Sequence, residues 1–378
     1  MNSKEIKKLV YQIIKEEIKE HKVPVEILPL TSIENITEII FTNLTNYFNK
    51  KEILLFTLQT IKAELIINKI TDACYNYANN KLKIIIKNNA NMNNNHFKWR
   101  LIKNIYHEYK HAIIDKKVKQ PYIETVEDLI YSIEKLIDTT DIYYRTYHEE
   151  LYEEIQANNY GIKKAKHFLE NNKKYQEIYG KLKNTIELDN LLHEIYYRNY
   201  NFSLTLKKVN QDIKDNIKEL NSYPEDKELE IVRTLYDKKG KFKSLKELFQ
   251  TPNWNILSIE AKYLIIGSEA YLNDFDYKNA TIEELYFILD SLSYVLTLEY
   301  EKTKYNQEFR KRLELISRTQ KDEDLEELDL YIDTLLILNI KEQSNQTIIN
   351  QYQTMINVII ELINKKTNNY TNKRINTK

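Results

Sequence analysis

Cysteine is nearly absent from this 378-residue chain: Cys74 is the only one. That excludes an intramolecular disulfide and a cysteine-rich zinc site, and leaves Cys74 as a small buried hydrophobe. Glycine (4) and proline (5) are almost as scarce, so most of the chain reads as helix. Neither sign of charge is in excess, with Lys+Arg and Asp+Glu each totalling 56. No global field draws the chain to nucleic acid, and no nucleic-acid partner is expected. No apolar run reaches the roughly 18 to 20 residues of a membrane span. The start, Met1-Asn2-Ser3-Lys4-Glu5-Ile6-Lys7-Lys8, carries charge every few residues and no apolar signal core. These absences lead to the expectation of a cytoplasmic protein with no membrane association. The abundant residues Ile, Lys, Asn and Tyr (30 Tyr) share AT-rich codons, and the tyrosines carry no functional weight.

Apolar positions at Ile6, Leu9, Val10, Ile13, Ile14 and Ile18 predict an amphipathic helix over 3–21. Pro24 and Pro29 bracket a short extended piece. Thr31 or Ser32 is placed to cap a following helix, and a further helix is expected over about 52–70. Two short runs, 73–77 and 82–86, flank Asn79-Asn80 and read as a hairpin, because asparagine tolerates positive φ. An Asn-rich loop over 88–95 leads into a helix expected from His96 or Phe97 to about Asp115. Its buried side is Leu101, Ile102, Ile105, Tyr106, Ala112 and Ile113. Helices are expected over about 124–138 and 145–170. The remainder, 173–378, is helical by pattern, with interruptions near Pro224, Gly240 and Pro252 and no clean repeat. Leu285, Tyr286, Ile288, Leu289, Leu292, Val295 and Leu296 make a core stripe there. After Glu361 no acid remains, and Lys365, Lys366, Lys373, Arg374 and Lys378 form a basic tail.

Chemistry is concentrated in His107-Glu108-Tyr109-Lys110-His111, an HExxH pentapeptide inside the predicted 96–115 helix. Histidines four apart share a helix face one turn apart, so both imidazoles can converge on one metal ion with Glu108 beside it. The chain has only 7 histidines, and His148-Glu149 and His193-Glu194 lack the second histidine. Lys110 puts a charge inside the motif; helical geometry turns it away from the histidine pair. Downstream, Glu154-Ile155-Gln156-Ala157-Asn158 forms an ExxAN element. Glu154 shares its face with Leu151, Ile155, Asn158 and Ile162, where a lone carboxylate is costly unless paired or metal-bound.

With these two elements the chain resembles the zincin-type zinc metallopeptidases, in their glutamate-liganded (gluzincin-like) branch. The ExxAN element is similar to that of the ImmA/IrrE-type intracellular metallopeptidases. The resemblance covers about residues 71–170 and implies a Zn2+ cofactor held by His107, His111 and Glu154, with Glu108 as general base. It implies that Asn158 hydrogen-bonds the first histidine and fixes its ring, and that a small residue lets the two helices approach closely. Two histidines and one carboxylate leave a fourth tetrahedral position for water, the arrangement of catalytic zinc. Glu150 and Glu153 stay open as alternative third ligands. His148 reads as surface, and the oxyanion-stabilising role stays open among Tyr147, Tyr160, His167 and His193. An edge strand over 82–86 would pair with an extended peptide.

The expected fold is therefore α+β and predominantly helical. It comprises an N-terminal helical segment (1–70), a zincin-like core of short antiparallel sheet with the two site helices (71–172), a large helical C-terminal region (173–364) and a basic disordered tail (365–378). The expected function is zinc-dependent hydrolysis of a peptide bond in a specific protein substrate, in a bacterial or mobile-element setting. Two rivals stand beside it: a non-catalytic helical interaction protein with a degenerate motif, and a regulatory protein with a closed, structural zinc site.

Overall fold

The structure, a computed structural model, describes residues 3–21, 26–27, 72–76, 81–85, 93–117, 125–138, 151–203, 205–207, 210–211, 227–319 and 325–376. In chain order these give α1 (Ser3–His21), β1 (Glu26–Ile27), β2 (Asp72–Asn76), β3 (Lys81–Ile85), α2 (Asn95–Lys117), α3 (Val126–Asp138), α4 (Tyr152–Asn171), α5 (Gln176–Lys181) and α6 (Lys183–Asn199). Then come α7 (Lys227–Arg233), α8 (Leu245–Phe249), α9 (Pro252–Asn255), α10 (Ile259–Ile266), α11 (Glu269–Asp274), α12 (Ile282–Ser317) and α13 (Leu325–Asn376). The helix expected after Thr31 or Ser32, the one expected over 52–70, the Asn79-Asn80 turn and the region of Pro224 lie outside the described residues. Among those described, no helix is long and apolar enough to cross a membrane.

The chain divides into two compact units, neither continuous in sequence. The first takes residues 1–119 and 156–190, the second 120–155 and 191–378. The span 71–172, expected as one core, is thus shared between them. The first unit buries one face of α1 (Ile6, Leu9, Val10, Ile13, Ile14) with Leu101, Ile102, Ile105 and Tyr109 of α2. Ile162, Ala165 and Leu169 of α4 complete that core. The periodicity dictates this: each residue named on α1 returns to one side every three or four positions, and each fully buried Leu or Ile stabilises by about 1.5–3 kcal/mol.

The expectation of an α+β fold with a zincin-like sheet core is overturned. Helix makes up 84% of the described chain, and strand is confined to three short segments in the order β1-β3-β2. β2 and β3 pair antiparallel from Asp72↔Ile85 to Asn76↔Lys81, and β1 joins β3 in parallel. Among the residues whose burial is described, the core of the first unit is lined by helices and the turns between them. With four glycines and five prolines in 378 residues, little interrupts helix propagation, and helix dominates the described residues.

In the second unit, local caps start several helices: the side chains of Ser244, Ser258, Ser268 and Thr281 each accept a backbone N–H of the first turn. Gly240, at φ 74°, closes a tight turn between the bridged residues Tyr236 and Phe242, a left-handed position that favours glycine. α12 and α13 run antiparallel, with Arg310 joined to Asn339 and Glu342 at one level and Tyr300 joined to Gln353 at another. α13 continues to Asn376, so most of the basic stretch expected as a disordered tail is helical.

A buried amide network fixes the register of α6, α12 and α13. The Asn199 carbonyl accepts from Asn306 and from Asn345, each at 3.0 Å, while its NH2 donates to Ile195 O and to Asn306. Every donor and acceptor of Asn199 is used. Asn199→Ala orphans two buried amides and is expected to cost about 2 kcal/mol. Urea denaturation with an unchanged m-value checks this.

Candidate metal centre

α2 carries the HExxH motif and is held from several sides. Its apolar face is buried in the first unit's core, with Trp99, Leu101, Ile105 and Tyr109 at 1% exposure or less. Near its start, Trp99 Nε1 donates to Asp189 Oδ2 (3.0 Å), and the Lys103 ammonium meets the same oxygen at 2.8 Å. A helix so anchored presents His107 and His111 in a fixed direction. The two rings stand tilted by 75° with centroids 4.8 Å apart.

α4 passes α2 at Gly161. A Cβ there would lie 2.8 Å from Lys103 O, 3.2 Å from His107 Cβ and 3.3 Å from His107 N. Glycine is therefore required by contact rather than by backbone conformation. The fully buried Ala157 lies one turn earlier on the same helix. Sequence reading asked for a small residue at this crossing without identifying Gly161. The available signal was a glycine four residues after an alanine, in a helix of a chain with only 4 glycines.

One donor atom each from His107, His111 and Glu154 lies within 4.8 Å of the other two. The two histidine Nε2 atoms are 3.1 Å apart. Imidazoles on one tetrahedral zinc at 2.0–2.1 Å place their nitrogens about 3.3 Å apart, so the pair is already at chelating distance. His111 is 4% exposed and Glu154 8%, which shields the donors from competing water. The Glu108 carboxylate lies 3.9 Å from His107 Nε2 and is also mostly buried. The donor set thus fits a zinc ion, with the Glu108 carboxylate beside it.

Other expected residues fall elsewhere. Asn158 follows Glu154 by one turn on α4 and is half-buried. Lys110 lies with its ammonium 5.6 Å from the centre of the Tyr160 ring. Tyr160 is committed to α1: its hydroxyl donates to Glu17 and sits 2.9 Å from His21 Nε2. His167 pairs with Asn171 on an exposed helix face, and His193 packs beside Tyr196. Tyr147, His148 and Glu150 lie outside the described residues. Of the alternative ligands, Glu153 is described and half-buried, and it is not part of the cluster. A second group, Glu17, Glu20 and His21, also has ligand-like spacing. There the Lys164 ammonium lies 3.0 Å from Glu17 and 2.8 Å from Glu20, so the positive charge those acids need is already supplied.

Sequence reading also missed Glu134, on α3. Its two carboxylate oxygens accept the backbone N–H groups of Tyr152 and, at 3.0 Å, Glu153, the first residues of α4. The Tyr200 hydroxyl donates to it at 2.8 Å. Burial pushes its carboxyl up to about 8, against these three donors, which favour the charged form.

Comparison with known proteins finds no matching family, no matching curated protein and no matching solved structure. Gly161→Ala forces a methyl against the backbone of α2 and is expected to destabilise by about 1–3 kcal/mol. It is also expected to weaken metal binding by spreading α2 and α4. Urea denaturation and zinc titration of the folded variant check the two effects.

Proposed function

We propose that the chain is a zinc-dependent peptide hydrolase in which His107, His111 and Glu154 hold the ion and Glu108 is the general base. The observation that carries the reading is the convergence of one carboxylate and two imidazole nitrogens, the latter 3.1 Å apart. Two neutral imidazoles and one carboxylate leave a fourth tetrahedral position for water, the pattern of catalytic rather than structural zinc. The same residue types are the ligand set of the glutamate-liganded metallopeptidases that the motif resembles, and the proposal takes over their chemistry without their fold.

When bound, zinc would supply Lewis acidity, bringing the water pKa to about 7 and polarising the scissile carbonyl. The residues do the rest. Glu108, next to His107 on the helix and 3.9 Å from its Nε2, accepts the proton of the attacking water on a carboxylate oxygen. It then delivers that proton to the nitrogen of the leaving amine. The α2 anchors to Asp189 keep the imidazoles aimed while this happens. The substrate is proposed to be a peptide or protein, and the compartment the cytoplasm.

Glu108→Gln tests the assignment, since it keeps size and removes the base. It is expected to bind zinc as the wild type does and to lose hydrolysis of a peptide library by roughly 10²–10⁴-fold. A chelator should abolish wild-type cleavage and added zinc restore it. Undiminished cleavage by Glu108→Gln would remove Glu108 from the mechanism.

A further inference from the structure

The first turn of a helix leaves four backbone N–H groups without intrahelical partners, and an uncapped first turn frays. α4 begins at Tyr152, so its capping position is Leu151, whose side chain has no acceptor. Its first intrahelical bond runs from Ile155 N to Leu151 O at 3.0 Å. Glu154 lies inside this first turn. A ligand here is only as well placed as the turn that carries it.

The missing cap comes from another helix. Both oxygens of Glu134 take up orphan N–H groups, those of Tyr152 and Glu153, immediately before Glu154. Glu134 is 2% exposed and is itself braced. Tyr200 donates to it at 2.8 Å and is 2.6 Å from the buried Thr205 hydroxyl. The Tyr152 ring packs against Tyr200 and Tyr197 with centroids 5.6 and 6.3 Å away. A two-oxygen cap fixes both the start of α4 and its rotation, since each oxygen is matched to a different N–H.

We infer that Glu134 is a positioning residue for the metal centre: by capping the first turn of α4 from α3 it holds the Glu154 carboxylate toward the His107–His111 pair. The inference rests on the zinc reading above and adds to it a residue distant in sequence that sets ligand geometry. A buried carboxylate is a costly way to cap a helix when Ser or Asp at the capping position does so locally. Fixing direction as well as satisfying donors accounts for its use.

The test is zinc affinity of the full chain by competition with a chelating dye, beside the visible spectrum of the cobalt(II) form. Glu134→Ala is expected to weaken zinc about 10-fold and to dim the intense bands of four-coordinate cobalt. Glu134→Gln keeps one acceptor oxygen but sets its NH2 against the other N–H, and is expected to restore only part of both signals. In a Glu154→Ala background, Glu134→Ala should cause no further loss, because its effect passes through Glu154. A folded Glu134→Ala with wild-type affinity, or with an equal loss in both backgrounds, would overturn the inference and leave the zinc reading intact. If Glu134→Ala does not fold, Tyr200→Phe decides: it removes one brace, and its smaller loss must also vanish without Glu154. A wild type that binds no zinc ends both readings at once.

Discussion

The contact between Gly161 and the backbone of Lys103 and His107 sets how closely α2 and α4 can pass, and the candidate centre depends on that distance. Any side chain at 161 would begin 2.8 Å from a carbonyl oxygen, and backbone cannot yield as a side chain tip can. Close-packed interiors transmit such an insertion along both helices. Because His107 lies at the crossing itself, the first atoms to move would belong to one of the three candidate donors.

Around that crossing, each donor is fixed by a different kind of force. The histidines are set by the buried face of α2 and by its tie to Asp189. Glu154 depends on the start of α4, where the local residue is apolar and the cap comes from Glu134. Hydrophobic burial supplies most of the stabilisation but little direction, whereas hydrogen bonds to named atoms supply direction at small net energy. A site of three donors needs both.

Legibility followed the range of the interaction. The stripe of α1 and the motif helix were readable because a 3.6-residue period is local; α1 spans Ser3–His21 and α2 spans Asn95–Lys117. The histidine pair was readable for the same reason. Glu154 needed a motif resemblance, since nothing in the spacing from His111 fixes two helices side by side. Gly161 left a faint signal as a small residue four after Ala157, and Glu134 left none, because it acts across 18 residues on backbone N–H groups. The fold class was misjudged through weight rather than pattern: two short runs flanking Asn79-Asn80 were allowed to define the fold of a chain that is 84% helix where it is described. Asn158 was assigned its bond through family likeness alone.

Zinc stoichiometry by elemental analysis, on protein dialysed free of loose metal and compared with Glu154→Ala, tests the central claim most directly. The account predicts about one zinc per wild-type chain, held by three protein ligands, and markedly less in the variant. Wild-type protein with no zinc even after reconstitution, or a variant that retains it fully, would contradict the three-ligand centre.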